Sequence, residues 1–251
     1  LGIKVELLVP DRKNFIKDDP FEFYKISKNF TIKKLSCLDL MGIPFLKKFT
    51  FWLESFSFYL SVKSYIIKNK FDAYYTRDLL VAFFLSKQIK NIFYEAHSLP
   101  IKPDNKYIKT WNRVKGLLVI SGGIKKDLLS FGVEENKIMI ARDAVDLEKF
   151  KIVETQLESR DKLHLDDHEK IVLYAGHLYE WKGADVVAQA AKYLTETQVY
   201  LVGGTADDVK NFKKKYSFAN LHIVGFVPHE QIPRWLKAAD ILVLPNSAKE
   251  K

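Results

Sequence analysis

The sequence of 251 residues predicts an α/β protein with two tandem, doubly wound domains. Apolar runs of strand length alternate with helical segments every ~20–30 residues, which is the pattern of βαβ units and parallel sheets. Several runs, such as residues 171–175, are apolar throughout, as expected for strands covered by helices on both faces. The length suits two domains. Polar residues gather at 142–150, so we place the boundary between residues 1–144 and 145–251.

The first half of the chain opens with a strand. Residues 3–9 alternate and then run apolar up to Pro10, and residues 30–35 form a weaker strand candidate. The apolar, aromatic and basic stretch 45–67 ends in a lysine-rich terminus and predicts a long helix. The elements that follow are strands at 73–75, 92–94, 117–120 and 138–140, with helices at 78–89 and 121–129.

The second half is more regular than the first. Its apolar runs predict strands, each bounded by glycine, proline or polar residues, at 171–175, 199–202, 221–227 and 241–245. The segments between them carry apolar residues at helical spacing and predict helices at 184–194, 209–216 and 230–239.

Composition and motifs exclude several classes of protein. Hydrophobic residues make up 47% and charged residues 28%, so neither a disordered nor a fibrous chain is expected. No apolar run has the length of a membrane-spanning helix. The lone Cys37 excludes a disulfide or a cysteine metal cluster within these residues, and we expect a reducing, cytoplasmic compartment. The dinucleotide, P-loop, serine-hydrolase and zinc-protease fingerprints do not occur. His164 and His168 lie among acidic residues in a predicted surface turn rather than in a metal site.

Positive charge is concentrated in the first half. The net charge is +9, and residues 1–145 hold 25 Lys/Arg against 15 Asp/Glu, whereas residues 146–251 hold 15 against 16. A one-sided positive field attracts nucleic acid or anionic lipid headgroups. A coding bias toward lysine explains the same numbers equally well. No recognition motif supports nucleic acid as a partner.

One segment has the pattern of a phosphate-binding loop. An apolar strand ends at Gly176, a short loop follows, and Lys182-Gly183 introduces a helix. Backbone N–H groups, a helix N-terminus and a lysine then meet at the strand's carboxyl end, an arrangement that suits a diphosphate. Gly203 and Gly225 end the next two strands and let a ligand approach the backbone. The alternatives, an ordinary βα loop with an exposed lysine and simple turn glycines, stay open.

Seven segments, in their order and spacing, make the chain resemble a known family. They are FDAYYTRDLL, IFYEAHSLP, LLVISGGIKKDLL, ARDAVDLEKF, YAGHLYEWKGADVV, VYLVGG and HIVGFVPHEQIPRWLKAADILVLPN. Together they resemble the GT-B glycosyltransferases, specifically the retaining group called family 4. The resemblance covers about residues 72–247. It implies two Rossmann-like doubly wound domains of the GT-B fold. The fourth segment departs from the family, which has Asn-Gly where this chain has Asp143-Ala144.

The resemblance implies that the second domain binds a nucleoside-diphosphate sugar. Lys182 matches the family's lysine that contacts the diphosphate, beside the strand end at Gly176. His177 stands where many members have arginine, and a neutral histidine binds phosphate less strongly than arginine. The turn that lies against the nucleobase is matched by Gly225, Phe226 and Val227.

In the first domain the resemblance points to His97. This residue matches a histidine that faces the cleft near the transferred sugar, which makes it the catalytic candidate; its alternative is a buried histidine capped by a neighbouring carbonyl. Arg77 and Ser121 follow other strands and are expected to face the same cleft. Arg77 could equally form a surface ion pair with Asp78, and Ser121 could serve only as a helix cap.

The implied reaction is transfer of a sugar, with retained anomeric configuration, from a nucleoside-diphosphate donor to an acceptor hydroxyl. The expected enzyme is hexosyltransferase-like, needs no cofactor or obligatory metal, and acts on a glycan or lipid-linked acceptor in cell-surface glycan or glycolipid synthesis. Two alternatives are a nucleotide-sugar epimerase on the same scaffold and a non-catalytic nucleotide-sugar-binding protein. A nucleic-acid-binding protein is a third.

The same resemblance suggests a fragment truncated at both ends. The family's paired glutamates and last helix follow the strand that ends here at Pro245, so we expect an incomplete C-terminal domain. The family's first strand and its glycine-rich loop are also expected to precede Leu1. A fragment of this kind would be inactive by itself.

Residues 45–67 have a composition that could bind a membrane surface. Their aromatic residues lie among lysines, and the family's first domain binds the acceptor, so this stretch could contact an anionic membrane peripherally. The favoured interpretation is a helix that packs its aromatic side chains into the core of the first domain.

Overall fold

The structure is a computed structural model that describes residues 2–14, 16–40 and 47–246, with the side chains of 47–49 left out. It divides into two compact units, Leu1–Ala144 and Val145–Lys251, which we call unit 1 and unit 2. Each unit is an α/β structure in which every sheet is parallel.

Unit 1 contains two sheets. Its strands are β1 (Glu6–Asp11), β2 (Thr31–Ser36), β3 (Tyr74–Thr76), β4 (Ile92–Ala96), β5 (Gly116–Val119) and β6 (Ile138–Ile140). Its helices are α1 (Pro20–Phe23), α2 (Lys47–Lys68), α3 (Leu79–Leu85), α4 (Asn105–Arg113) and α5 (Gly122–Ser130). One sheet pairs β1 with β2, and the other has the order β3-β4-β5-β6.

The long helix α2 packs its aromatic side chains largely into the core of unit 1. Tyr59 is buried, and three further aromatic residues lie against the same cluster: Phe56, Phe58 and Tyr65. Phe51 and Trp52, at the start of the helix, are 60% and 46% exposed. Phe45 and the side chain of Phe49 lie outside the described part of the chain. Core packing thus accounts for most of this stretch, although its first turns present two aromatic rings to solvent.

Helix α4 was not predicted. Its sequence is short and mostly polar and basic, and its apolar face consists only of Tyr107, Ile108 and Trp111. Asp104 begins it by accepting hydrogen bonds from the amides of Lys106 and Tyr107. Trp111 is fully buried and anchors the helix against the core.

Unit 2 is built on one sheet with the strand order β10-β7-β8-β9. Its strands are β7 (Lys170–Ala175), β8 (Thr197–Val202), β9 (Leu221–Gly225) and β10 (Ile241–Leu242). Its helices are α6 (Leu147–Phe150), α7 (Gln156–Lys162), α8 (Ala184–Ala190), α9 (Ala206–Lys215) and α10 (Ile232–Ala238). Four consecutive residues of β7 are buried, as its uninterrupted apolar run predicts.

The bounds of several elements in unit 2 differ from the predicted ones. Helix α9 begins three residues before its predicted start, because Thr205 and Asp208 form a capping box. Helix α8 ends at Ala190 and passes into a 3₁₀ turn over Ala191–Tyr193. Strand β10 has two residues, fewer than the apolar run 241–245 predicts. Helix α7 was not predicted; it also starts with a capping box, at Thr155 and Glu158.

A buried arginine fixes the end of unit 2 opposite the glycine-rich loops. Arg160 on α7 is 4% exposed and donates to the carbonyl oxygens of Ala238, Asp167 and Glu169. It also pairs with Asp240 at 2.7 Å. Burial opposes ionisation of Asp240, but the Ile171 amide and the Arg160 charge lower its pKa overall. This network joins α7, α10 and the start of β7. It gives a structural role to Asp240, the residue directly before β10.

We expect Asp240→Ala to destabilise unit 2 by about 2–3 kcal/mol. Removing one partner of a fully buried ion pair costs roughly 3–5 kcal/mol of unfolding free energy. The expected loss is smaller here because the Asp240 side chain is 35% exposed. Hydrogen exchange of the buried Leu173 and Val199 amides in urea would measure the loss. The matched control is Asp161→Ala on the exposed side of α7, expected within about 0.5 kcal/mol of the unchanged protein. Equal effects of the two substitutions would contradict this role for Asp240.

Candidate functional site

Glycines stand at the carboxyl edge of the sheet in unit 2, where three neighbouring strands end. Gly176 follows β7, Gly203 follows β8 and Gly225 ends β9, and these strands are neighbours in the sheet. The Gly203 amide donates to the Gly225 carbonyl at 2.7 Å, and the Gly176 amide donates to the Val202 carbonyl at 2.9 Å. Gly203 has φ +121°, and a Cβ added there would lie 2.2 Å from the Gly176 carbonyl oxygen. A side chain at Gly203 is therefore excluded, and we call these three residues the glycine edge.

A second close approach fixes the loop after β7. Glu180–Lys182 forms a 3₁₀ turn, and Gly183 links it to α8 with φ +74°. A Cβ at Gly183 would lie 2.0 Å from the carbonyl oxygen of Pro245, beyond the end of β10. The turn that carries Lys182 is therefore held against the chain that leaves the sheet's edge strand.

Lys182 supplies the positive charge of this loop. Its side chain is half-buried, and its Nζ lies 4.3 Å from the centre of the Trp181 ring. It forms no ion pair with any residue in the ranges that the structure describes. An ammonium held by an aromatic face and not by a carboxylate keeps its charge available to an anion.

Three aromatic rings stiffen the loop between Gly176 and Lys182. The ring of His177 stacks on Tyr179, with centroids 4.9 Å apart and planes 9° apart. Tyr179 in turn stacks on Trp181 at 6.3 Å. The hydroxyl of the buried Tyr174 donates to the His177 carbonyl at 2.6 Å. The predicted donor-binding residue His177 thus lies on the same ordered loop as Lys182, with its imidazole exposed.

The predicted nucleobase turn follows the glycine edge directly. Phe226 is 79% exposed, whereas Val227 packs partly against the cluster around Trp235. The exposed ring of Phe226 therefore stands beside Gly225 with an open face. Its contact with a base stays a prediction.

Helix α8 is shorter than the sequence predicts, which weakens one part of the predicted phosphate site. It has seven residues, so few peptide dipoles align behind its first turn. Asp185 in that turn accepts hydrogen bonds from Lys215 and Tyr216. Burial raises the pKa of Asp185, but these two donors lower it overall and hold the residue as a neutralised pair. Lys182 is left as the main source of positive potential at the loop.

In unit 1, His97 has a partner that sequence reasoning missed. Residues 95 and 97 share one face of β4 and its extension, because side chains alternate along a strand. His97 Nε2 contacts Glu95 Oε1 in a charge-assisted hydrogen bond. The carboxylate accepts, so Nε2 carries the proton of this hydrogen bond. The two-residue spacing in Tyr94-Glu95-Ala96-His97 was the signal for this pair.

The other two residues predicted in unit 1 follow the strands on either side of β4, Arg77 directly after β3 and Ser121 after β5. Arg77 is exposed and forms no ion pair within the described ranges. The expected alternative, a pair with Asp78, is wrong because Asp78 caps α3 by accepting from the amides of Leu80 and Val81. Ser121 caps α5 by accepting from the Ile124 amide at 3.3 Å, so its helix-cap alternative is confirmed.

Within residues 2–14, 16–40 and 47–246, no group of three or more His, Cys, Asp or Glu side chains is arranged to hold a metal ion. No helix in these ranges is both long and apolar enough to cross a membrane.

Comparison with known sequences supports the second unit's resemblance. Residues 155–251 match the family described as Glycosyl transferases group 1. Amylovoran biosynthesis glycosyltransferase AmsK of Erwinia amylovora is 31% identical over 137 residues, which are 52% of this chain and 32% of that protein. Alpha-galactosylglucosyldiacylglycerol synthase of Streptococcus pneumoniae is 26% identical over 145 residues, or 54% of this chain and 39% of the synthase. The chain thus matches 32% and 39% of the lengths of these two relatives, less than half of each.

Solved structures share the fold. Sucrose-phosphate synthase from Thermosynechococcus elongatus aligns with a TM-score of 0.70 and 20% identity over 88% of this chain and 61% of that one. Anabaena HepE in complex with UDP-glucose aligns with a TM-score of 0.66 and 14% identity, over 94% of this chain and 72% of the HepE chain. These likenesses confirm the predicted α/β fold with parallel sheets, as in GT-B glycosyltransferases.

We expect Gly203→Ala to deform the glycine edge and to destabilise unit 2 by about 1–3 kcal/mol. The new Cβ collides with the Gly176 carbonyl, and φ +121° strains any L-residue. Thermal unfolding and the amide shifts of Gly176 and Gly225 would measure both effects. Gly123→Ala in α5 is the matched control, because the nearest atom to its Cβ is 3.7 Å away and no stability should be lost. A Gly203→Ala protein as stable as this control would refute the close approach.

Proposed function

We propose that the protein is a retaining glycosyltransferase that moves a sugar from a nucleoside-diphosphate donor to an acceptor hydroxyl. The observation that carries the proposal is the position of Lys182, without an ion pair in the described ranges, in the loop that leaves the glycine edge at Gly176, inside the segment that matches Glycosyl transferases group 1. Glycines at the strand ends leave room for a phosphate beside the backbone, and the ammonium of Lys182 adds a positive charge.

The donor is proposed to lie along the carboxyl edge of unit 2. Its diphosphate contacts Lys182 and the loop at His177, and its base lies against the turn at Gly225. The open ring of Phe226 offers a stacking surface for that base. HepE has been crystallised with UDP and with UDP-glucose, so a uridine donor is the first to test.

Transition-state stabilisation in this proposal needs no metal. Negative charge grows on the diphosphate as the sugar leaves, and Lys182 is placed to stabilise it by electrostatic attraction. His97 is proposed as the catalytic residue of unit 1, with Glu95 fixing which ring nitrogen carries the proton. Glu95 is then a positioning residue.

The acceptor is proposed to be a glycan or a lipid-linked hydroxyl bound by unit 1. The name of the Streptococcus pneumoniae relative describes synthesis of a glycosyl diacylglycerol. The exposed rings of Phe51 and Trp52 and the basic charge of residues 1–145 suit peripheral contact with anionic lipid. The family resemblance implies paired glutamates in the active site, so the proposal concerns the activity of the whole protein.

In the complete enzyme, we expect Lys182→Ala to lower turnover ~100-fold or more, the scale of losing one charge-stabilising donor. Binding of UDP and UDP-glucose, measured by calorimetry, should weaken as well. Lys213→Ala is the matched control, since Lys213 is exposed on α9 and forms no ion pair in the described ranges. Turnover within a few-fold of the control would refute the proposed site. Donor binding that depends on Lys182 without any transfer would favour the non-catalytic alternative.

We expect Glu95→Gln to change the tautomer of His97. A neutral amide can donate to Nε2 as well as accept from it, so the ring is no longer held in one form. Nitrogen chemical shifts of His97 would report the change directly. Turnover should fall by no more than the ~100-fold typical of a positioned proton-transfer group. Glu134→Gln, at an exposed carboxylate, should alter neither measurement. Unchanged His97 shifts in Glu95→Gln would remove the positioning role.

A further inference from the structure

Arginine is scarce in this chain, and most of its arginines have an identified structural role. Lysine accounts for 34 of the 40 basic residues and arginine for six. Arg160 is buried and donates to three carbonyl oxygens. Arg234 donates to both carboxylate oxygens of Glu154 at 2.9 Å, and Arg12 pairs with a fully buried glutamate of α2 at 3.2 Å. An ammonium group cannot reproduce forked contacts of this kind. Arg113 ends α4, where free carbonyl groups favour any cation.

The remaining two arginines lie at one edge of the same sheet. Arg77 directly follows β3, and Arg142 is the second residue after β6. The strands β3-β4-β5-β6 are parallel, so both arginines lie at the carboxyl edge, on strands about 14 Å apart. Both are exposed, and among the residues that the structure describes neither guanidinium has an ion pair, a hydrogen bond or a cation–π contact. Asp143, next to Arg142 in the chain, does not pair with it.

The carboxylates near Arg77 do not neutralise its charge. Extending the pairing of β3 with β4 by one residue places Arg77 beside Glu95. Glu95 nevertheless pairs with His97 and not with the arginine. Asp78, the next residue in the chain, accepts hydrogen bonds from two amides at the start of α3. The guanidinium of Arg77 is therefore available to an external anion.

We propose that Arg77 and Arg142 recognise a phosphate-bearing ligand at the carboxyl edge of unit 1. A guanidinium binds phosphate through two parallel N–H···O bonds, and a doubly charged phosphate ester is attracted more strongly than a carboxylate. Ligands of parallel α/β sheets bind outside the carboxyl ends of the strands. The pair of Glu95 and His97 is on β4, between the two strands that carry the arginines. A ligand that spans from one arginine to the other therefore crosses this pair.

The role of the ligand, though not its binding, rests on the proposed function. In the proposed reaction the molecule bound by unit 1 is the acceptor, so the acceptor hydroxyl belongs to a compound that also carries a phosphate ester. Phosphate bound at Arg77 brings the rest of that compound toward His97 on the neighbouring strand. Soluble sugar phosphates and phospholipid headgroups present the same ester to the arginines.

Phosphate titration, followed through the arginine Nε–Hε signals by NMR, tests the binding. The complete protein carries Lys182→Ala, which removes the proposed diphosphate site of unit 2. We expect inorganic phosphate to shift the signals of Arg77 and Arg142 and not that of Arg113, which is also exposed. Arg77→Gln should weaken phosphate binding at least ~10-fold, the scale of losing one charge-assisted contact. Arg113→Gln is the matched control and should leave phosphate binding unchanged. Neither exposed substitution should affect folding.

Two further probes distinguish the sources of the phosphate ester. Glucose 6-phosphate represents the soluble sugar phosphates, with glucose as its uncharged control. Vesicles of phosphatidylcholine and phosphatidic acid represent the lipids, with pure phosphatidylcholine as their control. Binding of one probe that is lost in Arg77→Gln and kept in Arg113→Gln supports the proposal and identifies the source.

Three outcomes would overturn the proposal. One is the absence of any shift of the Arg77 and Arg142 signals at ~10 mM phosphate, ten times a millimolar dissociation constant. Another is equal loss of binding in Arg77→Gln and Arg113→Gln, which would assign the attraction to the general positive field of unit 1. The third is slow exchange of the Arg77 Nε proton without phosphate, abolished by Glu95→Gln, which would place the guanidinium in an internal pair.

The proposed function is tested separately from this site. Sugar transfer from UDP-glucose is measured in the enzyme with Lys182 intact, whereas phosphate binding in unit 1 is measured with Lys182→Ala. Loss of one result therefore leaves the other to stand or fail by itself.

Discussion

The candidate site in unit 2 depends on steric exclusion of side chains where three neighbouring strands end. Gly203 can lie against the Gly176 carbonyl and donate to Gly225 only because it lacks a Cβ. The backbone contacts that result keep the strand ends level, so the loop to Lys182 starts from a fixed point. The hydrogen bond from Tyr174 and the stacked rings of the loop then hold that loop in one conformation. The chemistry proposed for Lys182 rests on this packing more than on any single ion pair.

Much of this arrangement could be predicted from sequence because it is local. The sequence itself shows the uninterrupted apolar run of β7 and the glycines at the ends of three strands. The sheet order then brings these strand ends together. Among the helices that were not predicted, α4 has an apolar face of only three residues and α7 buries only Ser159 and Arg160, so neither shows a long apolar stripe in the sequence. Pairwise contacts were harder still. The residues next to Arg160 in the sequence do not indicate that its guanidinium is buried against Asp240, which lies far along the chain.

The two units illustrate different uses of polar groups. In unit 2, Arg160 satisfies three carbonyl oxygens and a carboxylate inside the fold, so its charge organises structure. In unit 1, Glu95 and His97 pair at the end of a strand while remaining partly exposed, at 19% and 32%. A pair with such access to solvent adds little stability, since water screens it. Its value lies in fixing the direction of one imidazole.

The contact between Gly183 and Pro245 has an evolutionary consequence. The glycine opens a helix early in unit 2 and the proline leaves its edge strand, yet a methyl group at position 183 would overlap the carbonyl oxygen of residue 245. Because every amino acid carries that carbonyl oxygen, no exchange of residue 245 relieves the overlap. A lineage can replace the glycine only if the backbone near residue 245 moves, so position 183 should stay glycine while the side chain at 245 varies.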